Sequence, residues 1–175
     1  NPASGYVHSA NQSPFHVTSK GSNPAKADYP VESGWPSRMT NRAVRGLELL
    51  EANTSISFDD FSAIKHDSAY SPRYRGHAYL ATIAKLEPTD EQESKALSLI
   101  REWDLHTDKA NRHAALGVCI LLEEWQAERT GEPLPDARDT LHFCMESVLD
   151  VAGRLDPEWG AVQQHGRGAS TWPAA

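Results

Sequence analysis

Asn11, in the run Ser9-Ala10-Asn11-Gln12-Ser13-Pro14, is the side chain of this sequence with the most chemical promise. A carboxamide in such a polar corner most often closes an Asx-turn and does nothing more. It can also act on a reaction. Amide hydrolysis passes through a tetrahedral intermediate, and a fixed neutral N–H donor stabilises that oxyanion without competing as a base. Losing one such donor typically costs ~10²–10³ in rate. Other groupings are weaker. Asp104-x-His106-x-Asp108, with His113 further on, holds ligand types suited to a divalent metal, but in a polar stretch that reads as a solvated loop. Ser13, Ser71 and Asp67 with His66 make no nucleophilic triad, and Gly166-x-Gly168 follows no strand, so it is not a phosphate loop. His142 falls beside an apolar helical stripe and reads as a satisfied core-edge histidine.

The elements that must position Asn11 divide into an irregular opening and a helical remainder. Residues 1–36 carry five prolines and few helix formers, so they read as a strand, a corner and a long connection. Tyr6-Val7-His8-Ser9-Ala10 is the strand candidate, and Thr18 to Ala27 is loop. Residues 37–165 form the helical segment. Its first helix starts near Pro36 and Ser37, with Met39, Ala43, Gly46 or Leu47 and Leu50 at helical spacing. Ser57 with Asp60 and Thr89 with Gln92 read as capping boxes, the second opening a helix with Ala96, Leu97, Ile100 and Trp103 on one side. Arg112 to Arg129 is apolar over most of its circumference and should be the central helix, stopped by Gly131 and Pro133. A fifth helix opens near Asp136, burying Leu141, Cys144, Val148, Val151 or Ala152, and Leu155. Five helices with short connections predict a mainly α, bundle-like fold with a short N-terminal strand. The stretch 166–175 reads as a disordered tail.

Composition narrows the partners. The 175 residues suffice for one domain with a real core, and the net charge of −7 argues against a nucleic-acid or anionic-membrane surface. Arg73, Arg75 and His77, interleaved with Tyr70, Tyr74 and Tyr79, fit no RNA-binding motif and read as a solvated loop. No apolar run approaches the ~20 residues of a membrane span. Cys119 and Cys144 sit among apolar residues; buried thiols are the default, and a disulfide between two packed helices is the alternative.

The opening Asn1-Pro2-x-x-Gly5-Tyr6 … Asn11-x-Ser13-Pro14 resembles a segment of the penicillin acylase family, the N-terminal-nucleophile amidohydrolases. Asp28-Tyr29-Pro30, the run Arg42 to Leu50, Phe58 to Asp67 and Tyr70-Ser71 extend the resemblance, and Trp103-Asp104 with the Ala-rich helix ending at Trp125 resembles the acyl-homoserine lactone and aculeacin acylase branch. The likeness runs over residues 1–165. It implies a piece of the β-subunit of an αββα hydrolase, in which Asn11 helps to form the oxyanion hole and Arg42 is an orienting arginine that hydrogen-bonds toward the nucleophile's surroundings, with Arg38 as the register alternative. The family's nucleophile is a Ser exposed by self-cleavage, and no residue here fills that role, so the chain alone should be inactive. The partners implied are the rest of its own precursor, namely the α-subunit and the remaining β-subunit, and an N-acyl amide substrate. Export to the periplasm or beyond is implied too. No cofactor is expected: a calcium-ligating position of some members corresponds to Ser33, and neighbouring Glu32 is not taken as a substitute. The competing reading is a non-catalytic helical module whose groove, lined by Trp103, Trp125 and the central helix, accepts a partner helix or lipid.

Overall fold

The computed structural model describes residues 1–19 and 21–173. They form two compact units, Asn1–Tyr74 and a second from Arg75 onward.

In the first unit the chain turns through three short 3-10 segments, Pro14–His16, Lys26–Asp28 and Val31–Ser33, before its first helix. Proline supplies the helical φ at the start of Pro14–His16, and the Ser13 hydroxyl accepts from the Phe15 N–H at 3.3 Å. The segment Tyr6–Ala10 is not a strand. A strand needs a neighbour to complete its ladder, and the described residues offer this one only an isolated bond, His8 N–H to the Val17 carbonyl at 2.7 Å. Asn23 holds the returning loop, accepting from the N–H groups of Val17 and Thr18 and donating to the Thr18 carbonyl.

Helix α1 spans Asn41–Glu51 and α2 spans Phe58–Lys65, and the two pack together. The first begins four residues later than Ser37 because Thr40 is the hydroxyl that caps it, accepting from the Ala43 N–H at 3.3 Å. Ala43 is fully buried. The reciprocal capping box of Ser57 and Asp60 opens α2 as its spacing predicts. Beyond α2, the Asp67 carboxylate receives Arg45 of α1 in a two-pronged pair, both contacts at 2.8 Å. Asn41 accepts from the Ser71 N–H at 2.8 Å, so α1 also anchors the end of this unit.

The second unit contains α3 (Gly76–Ala84), α4 (Glu91–Glu102), α5 (Ala114–Thr130), α6 (Ala137–Ala152) and the short α7 (Trp159–Val162). Helix α5 packs on α3, α4, α6 and α7, and is central as its apolar composition suggests. Ile83, Leu97, Leu116, Ile120 and Leu141 are fully buried between these helices. Each such side chain is worth about 1.5–3 kcal/mol relative to exposure. Yet α5 is not buried all round: Leu122 and Trp125 are exposed, and Arg129 lies 5.3 Å over the Trp125 ring.

Several readings are corrected here. The stretch read as a solvated loop contains α3, with Gly76, Tyr79, Leu80 and Ile83 buried at spacings of three, one and three. Arg75 pairs with Glu124 and Glu128 at 2.8 and 2.7 Å, and the Tyr79 hydroxyl meets Thr140 at 2.6 Å. The box at the start of α4 lies one residue on from Thr89 and Gln92. Asp90 accepts from the Glu93 N–H, and Glu93 returns the contact to Thr89. On α6 the stripe is completed by Ala152 rather than by the exposed Val151. Residues Gln164–Arg167 (β1) and Ser170–Pro173 (β2) pair antiparallel, where a disordered tail was expected. Gly168, at φ +60°, supplies the left-handed residue that a two-residue hairpin loop requires. Ala174 and Ala175 lie outside the described residues.

Cys119 of α5 and Cys144 of α6 form a disulfide, their Cα atoms 5.7 Å apart. The buried-thiol reading is therefore replaced by the inter-helix bridge. No helix among the described residues is long and apolar enough to cross a membrane.

Candidate active site

Asn11 adopts φ +58°, the left-handed conformation that asparagine tolerates better than most residues. Its side chain is thereby thrown out of the corner while Ala10 beside it is buried. From the first turn of α1, Arg42 reaches back across thirty-one residues and donates through Nη2 to the Asn11 Oδ1 at 2.6 Å. The same nitrogen donates to the Ala10 carbonyl at 3.1 Å. Thr40 sets the start of α1 and therefore the direction in which Arg42 leaves it. The other candidate, Arg38, lies before that cap.

The pair has a definite chemical consequence. A guanidinium only donates, so it selects the carboxamide orientation with oxygen inward. The Nδ2 group, with two N–H donors, then faces away from Arg42, and among the described residues nothing accepts from it. An outward-facing neutral donor on a fixed amide is what a developing oxyanion needs.

Gln12 ties down the corner from the other side. Its Oε1 accepts from the Ala10 N–H, and its Nε2 donates to the carbonyls of His8 and His16 at 2.9 and 3.2 Å. Sequence spacing alone did not single out Gln12 or His8. Four residues beyond Asn11, Phe15 joins Tyr29 and Trp35 in an aromatic cluster with ring centroids 4.8–5.9 Å apart. These rings, with Lys26 and Val31, line an open cleft of about 560 Å³.

Comparison with known families gives a match: the penicillin amidase model covers residues 1–172. The chain belongs to the penicillin amidase family. Members of that family hydrolyse amides, and a donor for a tetrahedral oxyanion is a part such chemistry demands. No curated protein matches the chain.

The remaining candidates have structural occupations. Asp104 accepts from the His106 N–H at 3.0 Å and from Asn111 at 2.9 Å, which shapes a loop and holds its carboxyl below the ordinary range. Among the described residues no three His, Cys, Asp or Glu side chains converge as metal ligands. Glu32 and Ser33 are exposed on their 3-10 turn. His142 contacts Glu93 at 2.6 Å, the satisfied core-edge role predicted for it. Trp103 is buried, its ring against Gly117 and its indole N–H donating to the His106 carbonyl at 2.8 Å. With Trp103 inside the core, the partner-binding groove proposed between it and Trp125 loses one wall.

Proposed function

We propose that this chain is the part of an N-acyl amide hydrolase that supplies the oxyanion-hole donor Asn11 and its orienting residue Arg42. The reading rests on one observation: Arg42 occupies the Asn11 Oδ1, which turns the Nδ2 donor outward. The attacking serine comes from elsewhere in a self-cleaving precursor, with its own α-amine as base. It adds to the amide carbonyl, and the oxygen becomes an alkoxide that Nδ2 receives. Collapse expels the amine and leaves an acyl-serine, which water hydrolyses through a second oxyanion at the same donor. The chain by itself therefore hydrolyses nothing. Long-chain acyl amides, acyl-homoserine lactones among them, and penicillin-type amides are the substrates to test. The Cys119–Cys144 bridge supports a periplasmic or secreted protein, because disulfides persist in oxidising compartments.

The test is hydrolysis of a panel of N-acyl amides by the full-length gene product and its Asn11→Ala variant. The expected result is a loss of ~10²-fold or more in kcat with self-processing retained. An equally active variant would remove Asn11 from the mechanism.

A further inference from the structure

We propose that His8 and Gln12 are positioning residues for the Asn11 donor, and that His8 must be uncharged for the corner to hold it. This rests on the reading of Asn11 given above. Gln12 Nε2 lies 3.1 Å from His8 Nδ1. Its amide cannot be flipped to face that ring with oxygen, because Oε1 already accepts from the Ala10 N–H. The two N–H groups of Gln12 Nε2 serve three acceptors, so one of them is shared between the His8 carbonyl and His8 Nδ1. The amide nitrogen cannot accept, so a proton on Nδ1 would face it unpaired; Nδ1 is the acceptor and carries no proton. The proton of the neutral ring is then on Nε2, the edge turned toward α1. There the ring packs on Gly46: a Cβ at that position would stand 2.5 Å from Nε2 and push the ring aside.

These contacts couple the ring to the donor. His8 and Gln12 brace the residues on both sides of Asn11, while Arg42 grips its oxygen and the Ala10 carbonyl. Protonating Nδ1 replaces an acceptor with an N–H pointed at the N–H of Gln12. It also places a second cation beside Arg42, the charged group that faces the ring; Gln12 and Gly46, which flank it, are uncharged. Burial first, and Arg42 second, hold the imidazole pKa below its ordinary 6.5, in keeping with a neutral ring at neutral pH. Loss of the brace frees the corner, and the donor drifts from the position at which the oxyanion forms.

The experiment compares pH profiles of kcat and KM for the full-length processed enzyme and its Asn11→Ala, His8→Asn, His8→Ala, Gln12→Ala and Gln12→Glu variants. Thermal midpoints are recorded alongside. In His8→Asn the new amide can present an oxygen near the former Nδ1 position yet does not titrate. In Gln12→Glu the new carboxylate keeps the acceptor but has no donor. At pH 7.5 His8→Asn should stay within about threefold of the parent, while His8→Ala and both Gln12 variants lose about tenfold in kcat with little change in KM. The base that activates the nucleophile contributes the same acid limb to every variant. The decisive quantity is therefore the kcat ratio of His8→Asn to parent, expected to rise about tenfold between pH 7.5 and 5 as His8 protonates in the parent alone. A ratio flat across that range, or His8 and Gln12 variants matching the parent while Asn11→Ala is crippled, overturns this proposal and leaves the role of Asn11 standing. A fully active Asn11→Ala overturns the role of Asn11 instead, and this proposal with it.

Discussion

Arg42 and Asn11 meet at 2.6 Å although thirty-one residues separate them, and the contact is made to the oxygen of the carboxamide, not its nitrogen. For the role proposed for Asn11 that choice is decisive. An arginine beside the nitrogen would have left an acceptor facing outward, useless to an oxyanion. The Arg42 guanidinium has donors only and holds the amide one way round.

Removing Arg42 should therefore reduce catalysis without abolishing it. Arg42→Ala leaves the Asn11 amide in place but free to turn, so kcat falls about tenfold, less than the ~10²–10³ lost with the donor itself. Because both residues act through one hydrogen bond, the double variant should be no slower than Asn11→Ala alone. Steady-state kinetics on the four enzymes measures this; additive losses would mean that Arg42 works independently of Asn11.

The disulfide makes a prediction about stability. Cys119 and Cys144 close a loop with a sequence separation of 25. By the chain-entropy argument such a loop is worth about 3.5 kcal/mol through its constraint on the unfolded chain. Urea unfolding with and without reductant, or of Cys119→Ser with Cys144→Ser, should show a lowered midpoint of that order. An unchanged midpoint would place the stability of the second unit elsewhere.

Glu93 predicts a pH dependence. The carboxylate is fully buried; Arg138 contacts it at 2.5 Å, the Thr89 N–H at 2.7 Å and His142 at 2.6 Å. Arg138 foremost, then the Thr89 N–H, hold its pKa at about 2 against an ordinary 4.5. A depressed carboxyl stabilises the fold fully above its unfolded value. That contribution is lost as pH falls from 4.5 toward 2. Denaturant midpoints taken across that interval should decline in the parent, and Glu93→Gln should decline less while being weaker at pH 7.

Gly117→Ala sets two effects against each other. Alanine favours a helix interior over glycine by about 1 kcal/mol. Here, however, an added Cβ on α5 would stand under 3.0 Å from ring carbons of Trp103. Overpacking of a core typically costs about 1–3 kcal/mol, so the clash should win. The variant is expected to unfold at lower denaturant with altered Trp fluorescence; a more stable variant would show that Trp103 can move aside.

The features that the sequence determined unaided are those whose physics is local. Ser57 and Asp60 cap each other across three residues, Asp136 opens α6, and the buried Leu97, Ile100 and Trp103 follow the helical period. The Asn11 corner was legible for the same reason, since asparagine before Ser-Pro states a turn whatever surrounds it. Tertiary structure decided what depends on a distant partner. Helix α3 begins at Gly76 with no side-chain cap and is held by burial of Tyr79, Leu80 and Ile83. Which face of α5 is covered, the pairing of Cys119 with Cys144, and the inward turn of Trp103 onto Gly117 likewise depend on neighbours remote in sequence. The orientation of the Asn11 amide belongs to this second group. Spacing identified a carboxamide and an arginine, but only the folded path of the chain set which atom of Asn11 the guanidinium would grasp.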